Sequence, residues 1–140
     1  MKNLSNNQIF VKLNSLGLSA YDYAVFGSGP MFAHGIKDLG HDLDVIARGS
    51  AWRQACALAA PINTSLENGL VVNLFNGEIE IFDTWAPGDW DVNDLIDTAE
   101  IIEGVRFVTL ENVVKWKRLM GREKDQIHIK MIEDYLNGRL

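Results

Sequence analysis

Asn76-Gly77 constrains the folding of this chain more than any other dipeptide. It lies between two β-prone runs, Gly69 to Phe75 and Glu78 to Phe82. Asparagine and glycine tolerate the positive φ angles of a tight hairpin turn, so the pair predicts two antiparallel strands. Successive strand residues point to opposite faces. The second run therefore puts Ile79 and Ile81 on one face, and Glu78 and Glu80 on the other.

The rest of the chain alternates strand-like and helix-like stretches. Ile9, Phe10, Leu13 and Leu16 recur at helical spacing, which predicts a helix over 7–16 that stops at Gly17. Residues 21–26 form a compact β-prone run. A helix is expected directly after it, capped by Ser28 or Gly29 with Pro30 in its first turn; Gly35 and Gly40 make it short. Residues 42–47 read as a strand and the alanine-rich 51–60 as a helix. A loop over 85–91 and a short helix over 92–99 follow, then an edge strand over 105–110. Two C-terminal helices, 111–120 and 124–136, break near Gly121. No repeat or low-complexity segment interrupts the pattern. The 140 residues suit one domain spanning 1–140. The fold class is α/β (α+β): a small mixed β-sheet flanked by helices, with two helices at the C-terminal end.

Composition narrows the function by exclusion. The net charge of −6 argues against a nucleic-acid partner, which needs a basic surface. A single cysteine, Cys56, permits no internal disulfide and fits a reducing compartment, so the expected localisation is cytoplasmic. Cys56 lies in the alanine-rich segment and reads as a buried structural residue. No apolar run reaches the ~18 residues of a membrane span, and the polar stretch from Met1 to Gln8 lacks the apolar core of a signal peptide.

Two features carry chemistry. In Phe26-Gly27-Ser28-Gly29-Pro30 a strand runs through small residues into a helix. Such a turn lets backbone N–H groups approach a phosphate; it also serves as a plain strand–helix connection. A dinucleotide-binding turn would need a third glycine where Phe32 stands, and the lysine of a P-loop is missing. The second feature is Asp42-Leu43-Asp44. On a strand, i and i+2 face the same way, roughly 7 Å apart, and two carboxylates on one face repel each other unless a cation lies between them. Their oxygen donors suit magnesium; a solvated strand start is the alternative. The interval from Ser28 to Asp42 accommodates a turn, a short helix and a return to a neighbouring strand. Glu80, within Ile79-Glu80-Ile81, offers a third acid, and three acids can hold two metal ions about 3.5–4 Å apart.

Phe26-Gly27-Ser28, Asp42-Leu43-Asp44 and Ile79-Glu80-Ile81 match, in order and type, the pattern of the polymerase-β-type nucleotidyltransferase superfamily, which the segment 21–82 resembles. A second stretch, Trp116 to Asp125, is similar to the Lys-x4-Arg-x-Lys-Asp run of small bacterial nucleotidyltransferase-like proteins, here Lys117, Arg122, Lys124 and Asp125. The resemblance implies the nucleotidyltransferase fold; 140 residues leave room for a minimal catalytic core and two C-terminal helices, so the lack of a separate acceptor domain is one departure from it. The resemblance also implies that Gly27, Ser28 and Gly29 cradle the phosphates of a nucleoside triphosphate. Asp42 and Asp44 would bind magnesium, two ions in all, with manganese as a substitute. Glu80 would be the third ligand or the general base, with Glu78 on the same face as its competitor. Lys117, Arg122 and Lys124 would hold the triphosphate. Further departures are Gly29-Pro30 in the turn and glutamate at the third acid.

The implied reaction moves a nucleoside monophosphate to a hydroxyl of a small molecule or protein and releases pyrophosphate. The alternatives are a non-catalytic nucleotide-binding module, or a toxin–antitoxin-type interaction module that keeps the fold. A homodimer or partner protein would complete the site; no membrane partner is expected. Lys115 and Arg118 belong to the same basic cluster, as a solvated helix face or as part of the phosphate site. His34, His41 and His128 are not at metal-ligand spacing, although His41 directly precedes Asp42. Trp85 and Trp90 flank a glycine-containing loop after Glu80; they either cover the open edge of the small sheet, or one of them stacks on a base or an acceptor ring.

Overall fold

The computed structural model describes residues 3–64 and 69–138. Its elements, in chain order, are α1 (Gln8–Ser15), β1 (Tyr23–Val25), α2 (Gly29–Ala33), β2 (Leu43–Ala47), α3 (Gly49–Leu58), β3 (Ile62–Asn63), β4 (Leu70–Leu74), β5 (Ile79–Phe82), α4 (Val92–Asp97), β6 (Glu100–Ile102), β7 (Val105–Phe107), α5 (Leu110–Met120) and α6 (Glu123–Gly138). The fold is mixed α/β, as the alternation of elements predicts. No described helix is long and apolar enough to cross a membrane.

The strands form one seven-stranded sheet in the order β3-β4-β5-β2-β1-β7-β6. β4 and β5 form the expected antiparallel hairpin, with Val72 opposite Ile81. Its connection contains three successive positive φ angles, at Phe75, Asn76 and Gly77. β5 then lies parallel to β2, and β1 pairs antiparallel with β2 and parallel with β7.

Period-2 alternation divides the core into two layers. Tyr23, Val25, Leu43, Val45, Ile79 and Ile81 face one way and pack against Phe10 and Leu13 of α1 and Ala51 and Ala55 of α3. Ala24, Phe26 and Ile46 face the other way, against Leu95 and Ile96 of α4, Val113 and Trp116 of α5 and Ile132 of α6. Asp44 and Glu80 share this second face by alternation, so α5 and α6 are the helices that pack over the acids' side of the sheet.

Three expectations need correction. The strand after α4 is not an edge: β7 lies between β1 and β6, and the edge is β6. The turn Glu103-Gly104, with φ of 50° and 81°, makes β6 and β7 a second hairpin. Cys56 is partly rather than fully buried, packed against the α1/α3 layer. Ser28 holds the N-cap position of α2 without a side-chain capping bond. At five residues, α2 is also too short to supply a helix dipole of consequence.

Candidate metal and phosphate site

The candidate site is assembled by strand register. Asp44 and Glu80 are direct partners across the parallel β2–β5 pair. Asp42 precedes Asp44 by one pleat on the same side. One carboxylate oxygen from each of Asp42, Asp44 and Glu80 lies within 4.8 Å of the others. The apolar neighbours Leu43, Val45, Ile79 and Ile81 are almost completely buried on the opposite face, which locks the three acids into this orientation.

The cluster carries electrostatic stress. The Asp44 carboxyl is pushed up to about 7, first by burial and then by the charges of Asp42 and Glu80. Glu80 is raised by burial, by the Asp42 charge and by a hydrogen bond with Asp42. Like charges held this close are relieved by a proton or by a cation. A set of three carboxylates with no nitrogen or sulfur donor fits a hard divalent ion such as magnesium or manganese.

Glu78, the alternative third acid, is engaged elsewhere: its carboxylate pairs with Lys12 of α1. Of the two glutamates on that face, Glu80 is the one that joins the aspartates.

Gly27 stands against the cluster. Its φ is +59°, and a Cβ there would lie 2.5 Å from Asp44 Oδ2. The Phe26 N–H donates to the Asp44 carbonyl at 2.8 Å, which fixes β1 beside β2 where the turn begins. Gly29 is equally confined: a Cβ would meet Val25 Cγ1 at 2.2 Å.

A cleft of about 340 Å³ opens here, bounded by Gly27, Ser28, Asp42 and Asp44 on one side and by Lys37, Lys117, Arg122, Lys124 and His128 on the other. The volume lies near the lower end for small-molecule sites. The basic wall is built by the α5–α6 corner. Gly121 adopts φ of 66° and reverses the chain, so that Asp125 of α6 packs under α5. The buried Asp125 carboxylate accepts from Arg122 Nε at 2.6 Å and Nη2 at 3.0 Å. It also faces Lys117 Nζ at 3.5 Å. Arg122 therefore holds Asp125 down at about 2.

Lys117 is buried and donates to His128 Nδ1 at 3.0 Å. Burial, opposed by Asp125, lowers its pKa. His128 is lowered to about 4, by burial and then by the Lys117 charge.

All of Gly27, Ser28, Asp42, Asp44, Lys117, Arg122 and Lys124 border one cleft. Gly29 is buried behind the turn. Lys115 and Arg118 point elsewhere, towards Trp90 and Glu133. His41 is exposed and is not part of the cleft lining. Lys37 and His128 were missed by sequence reasoning. His128 had a readable signal, because Lys124, Asp125 and His128 share one face at helical spacing.

Trp85 and Trp90 do not cover a sheet edge. Both pack on Phe26, Trp85 stacked at 4.4 Å between centroids and Trp90 edge-on at 5.7 Å. Compared with protein-family models, with curated proteins and with solved structures, the chain returns no match.

Proposed function

We propose that the chain is a metal-dependent nucleotidyltransferase that moves a nucleoside monophosphate from a triphosphate to a hydroxyl. The observation that carries this reading is the meeting of Asp42, Asp44 and Glu80 beside the Gly27-Ser28 turn. The basic wall opposite adds to it. An acidic cluster alone fits many roles. An acidic cluster whose Asp42 and Asp44 share one cleft with Lys117, Arg122 and Lys124 fits a ligand that is both polyanionic and metal-bound.

Bound at the three carboxylates, magnesium would neutralise phosphate charge and acidify the acceptor hydroxyl. The chain's own groups do the rest. The Gly27-Ser28 backbone gives the phosphates close access, since no side chain stands at Gly27. Arg122, braced by Asp125, and Lys124 hold the outer phosphates in line. Lys117 adds a fixed positive charge at the cleft floor. Glu80, at the β5 side of the cluster, faces the acceptor and takes its proton. The acceptor oxygen forms a bond to the α-phosphorus as the bond from that phosphorus to the bridging oxygen breaks. The electron pair leaves with pyrophosphate. Positioning and charge stabilisation supply the catalysis.

The test is a screen of the four nucleoside triphosphates with magnesium, reading thermal shift and pyrophosphate release. At least one triphosphate is expected to give a magnesium-dependent signal that Asp42→Ala/Asp44→Ala abolishes. A double variant that binds and turns over like the wild type overturns the assignment.

A further inference from the structure

One step along β5 from Glu80, on the same face, lies Phe82. It is part of the wall of a second cavity of about 130 Å³, bounded by Thr64, Phe82, Thr84, Trp85, Trp116 and Met120. Trp116 and Met120 also border the acidic–basic cleft. The two spaces therefore adjoin, and Glu80, one pleat from Phe82, lies outside both linings but joins Asp42 and Asp44, which border the cleft.

The walls are set before any ligand arrives. Trp85 stacks on Phe26 at an interplanar angle of 10° and lies 5.2 Å from Trp116. Phe82 meets Trp85 edge-on at 5.5 Å. The Trp116 indole N–H donates to the Ala86 carbonyl at 3.1 Å, which fixes that ring's orientation. A rigid aromatic box loses little entropy when it binds a flat guest.

Size and chemistry select the guest. An apolar cavity of ~150 Å³ takes up benzene, so this one matches a single six-membered ring. A nucleobase is a poor fit, since its several polar edges would lose water and find only two threonine hydroxyls and the Trp85 indole N–H. Position selects the guest's role. Across the sheet the order is β5, β2, β1. The phosphate turn follows β1, while the aromatic cavity continues β5 beyond Glu80, on the side away from that turn.

We propose that this aromatic cavity is the acceptor subsite, and that the acceptor is a hydroxyl compound whose body is one apolar or aromatic six-membered ring. The ring lies among Phe82, Trp85 and Trp116, and its hydroxyl reaches Glu80. This rests on the nucleotidyl-transfer reading and names the substrate class of that site.

The probe is benzyl alcohol, with toluene as the ring lacking a hydroxyl. Both are titrated into the full chain while the indole N–H resonances of Trp85 and Trp116 are followed. The Trp85 indole N–H is a useful reporter, because it is buried without a hydrogen-bond partner among the described residues. Both probes are expected to shift these two resonances saturably. Thr84→Phe and Ala86→Leu, at two residues that line this cavity but not the phosphate cleft, are expected to weaken binding about tenfold or more, ~1.4 kcal/mol. Benzyl alcohol, and not toluene, is expected to raise magnesium-dependent pyrophosphate release in the wild type.

The outcomes separate the two claims. A magnesium-dependent nucleotide signal without saturable ring binding, or with equal binding in both folded variants, overturns the acceptor subsite and leaves nucleotidyl transfer standing. Ring binding that leaves pyrophosphate release unchanged overturns the acceptor role as well. Ring binding with no nucleotide signal at all overturns the underlying reading and the acceptor role with it.

Discussion

Asp44 and Glu80 face each other across the parallel β2–β5 pair, with Asp42 one pleat away. Burial first, and then the charges of Asp42 and Glu80, raise the Asp44 carboxyl to about 7. The unfolded chain has that carboxyl near its ordinary value of 3.8. The folded state thus holds the proton more tightly than the unfolded state. This contribution is fully present below the unfolded value, declines as the pH rises towards 7, and is gone above it. Metal-free wild type should be less stable at pH 8 than at pH 5 on this account, by an amount on the order of 2 kcal/mol. Asp44→Asn should raise the metal-free Tm at pH 8. Magnesium should raise the wild-type Tm more at pH 8 than at pH 5, because protons compete with it. Thermal melts of both proteins with and without magnesium check this. An equal magnesium effect in Asp44→Asn sinks the metal assignment.

Gly27 separates backbone strain from site geometry. In Gly27→Ala the new Cβ meets Asp44 Oδ2 at 2.5 Å, on a backbone with φ of +59°. Gly77→Ala has φ of +88° with nothing within 4 Å. Both variants should lose roughly 1–3 kcal/mol to strain. Only Gly27→Ala should also lose the magnesium-dependent thermal shift, because only there must the Asp44 carboxylate move. Urea unfolding gives the first quantity and melts with magnesium give the second. If the two variants lose magnesium response equally, the contact has no part in the site.

Asp125 is the keystone of the basic wall. Its buried carboxylate accepts from the Arg122 backbone N–H at 3.1 Å as well as from the guanidinium, and it faces the buried Lys117. Asp125→Asn leaves the Lys117 ammonium buried without its counter-charge. Such breaks cost about 3–5 kcal/mol. Lys117→Met in the same background should recover a good part of that loss. The double-mutant cycle by urea unfolding reads the coupling directly. Additive losses would mean that the two side chains do not depend on each other.

Much of the site was legible because its rules are local. The alternation of Asp42-Leu43-Asp44 and Ile79-Glu80-Ile81 already assigned acids to one face and apolar side chains to the core. What local rules cannot supply is pairing. Glu78 and Glu80 are equivalent by alternation; the register with Asp44 and the ion pair to Lys12 distinguish them. β6 escaped notice because three residues before Glu103-Gly104 give little pattern. The burial of Lys117 left no local signal, because it depends on α6 folding back at Gly121 to bring Asp125 beneath it. The aromatic cavity depends on contacts among Phe26, Phe82, Trp85 and Trp116, which lie on separate elements and share no spacing signal.

His128 should cost stability as the pH falls from 6.5 to 4, above the range where Asp125 titrates and against the Asp44 contribution, which grows over the same range. The ring is half-buried against Lys117, and its pKa is depressed to about 4 from an ordinary 6.5. Lys37 and Lys124 oppose its protonation as well, while Asp125 favours it. The unfolded chain binds this proton at higher pH than the folded chain does. The stability it confers is therefore present above 6.5 and lost as the pH falls towards 4. Asp125, held at about 2, loses its own contribution only below that range, between its unfolded value of 3.8 and 2. Relative to the wild type, His128→Gln should gain stability as the pH falls from 6.5 to 4, leaving the opposite-signed Asp44 contribution uncovered, and should leave the lower limb in place. Urea midpoints measured across this range check the point; a profile unchanged by His128→Gln would show that the imidazole does not set it.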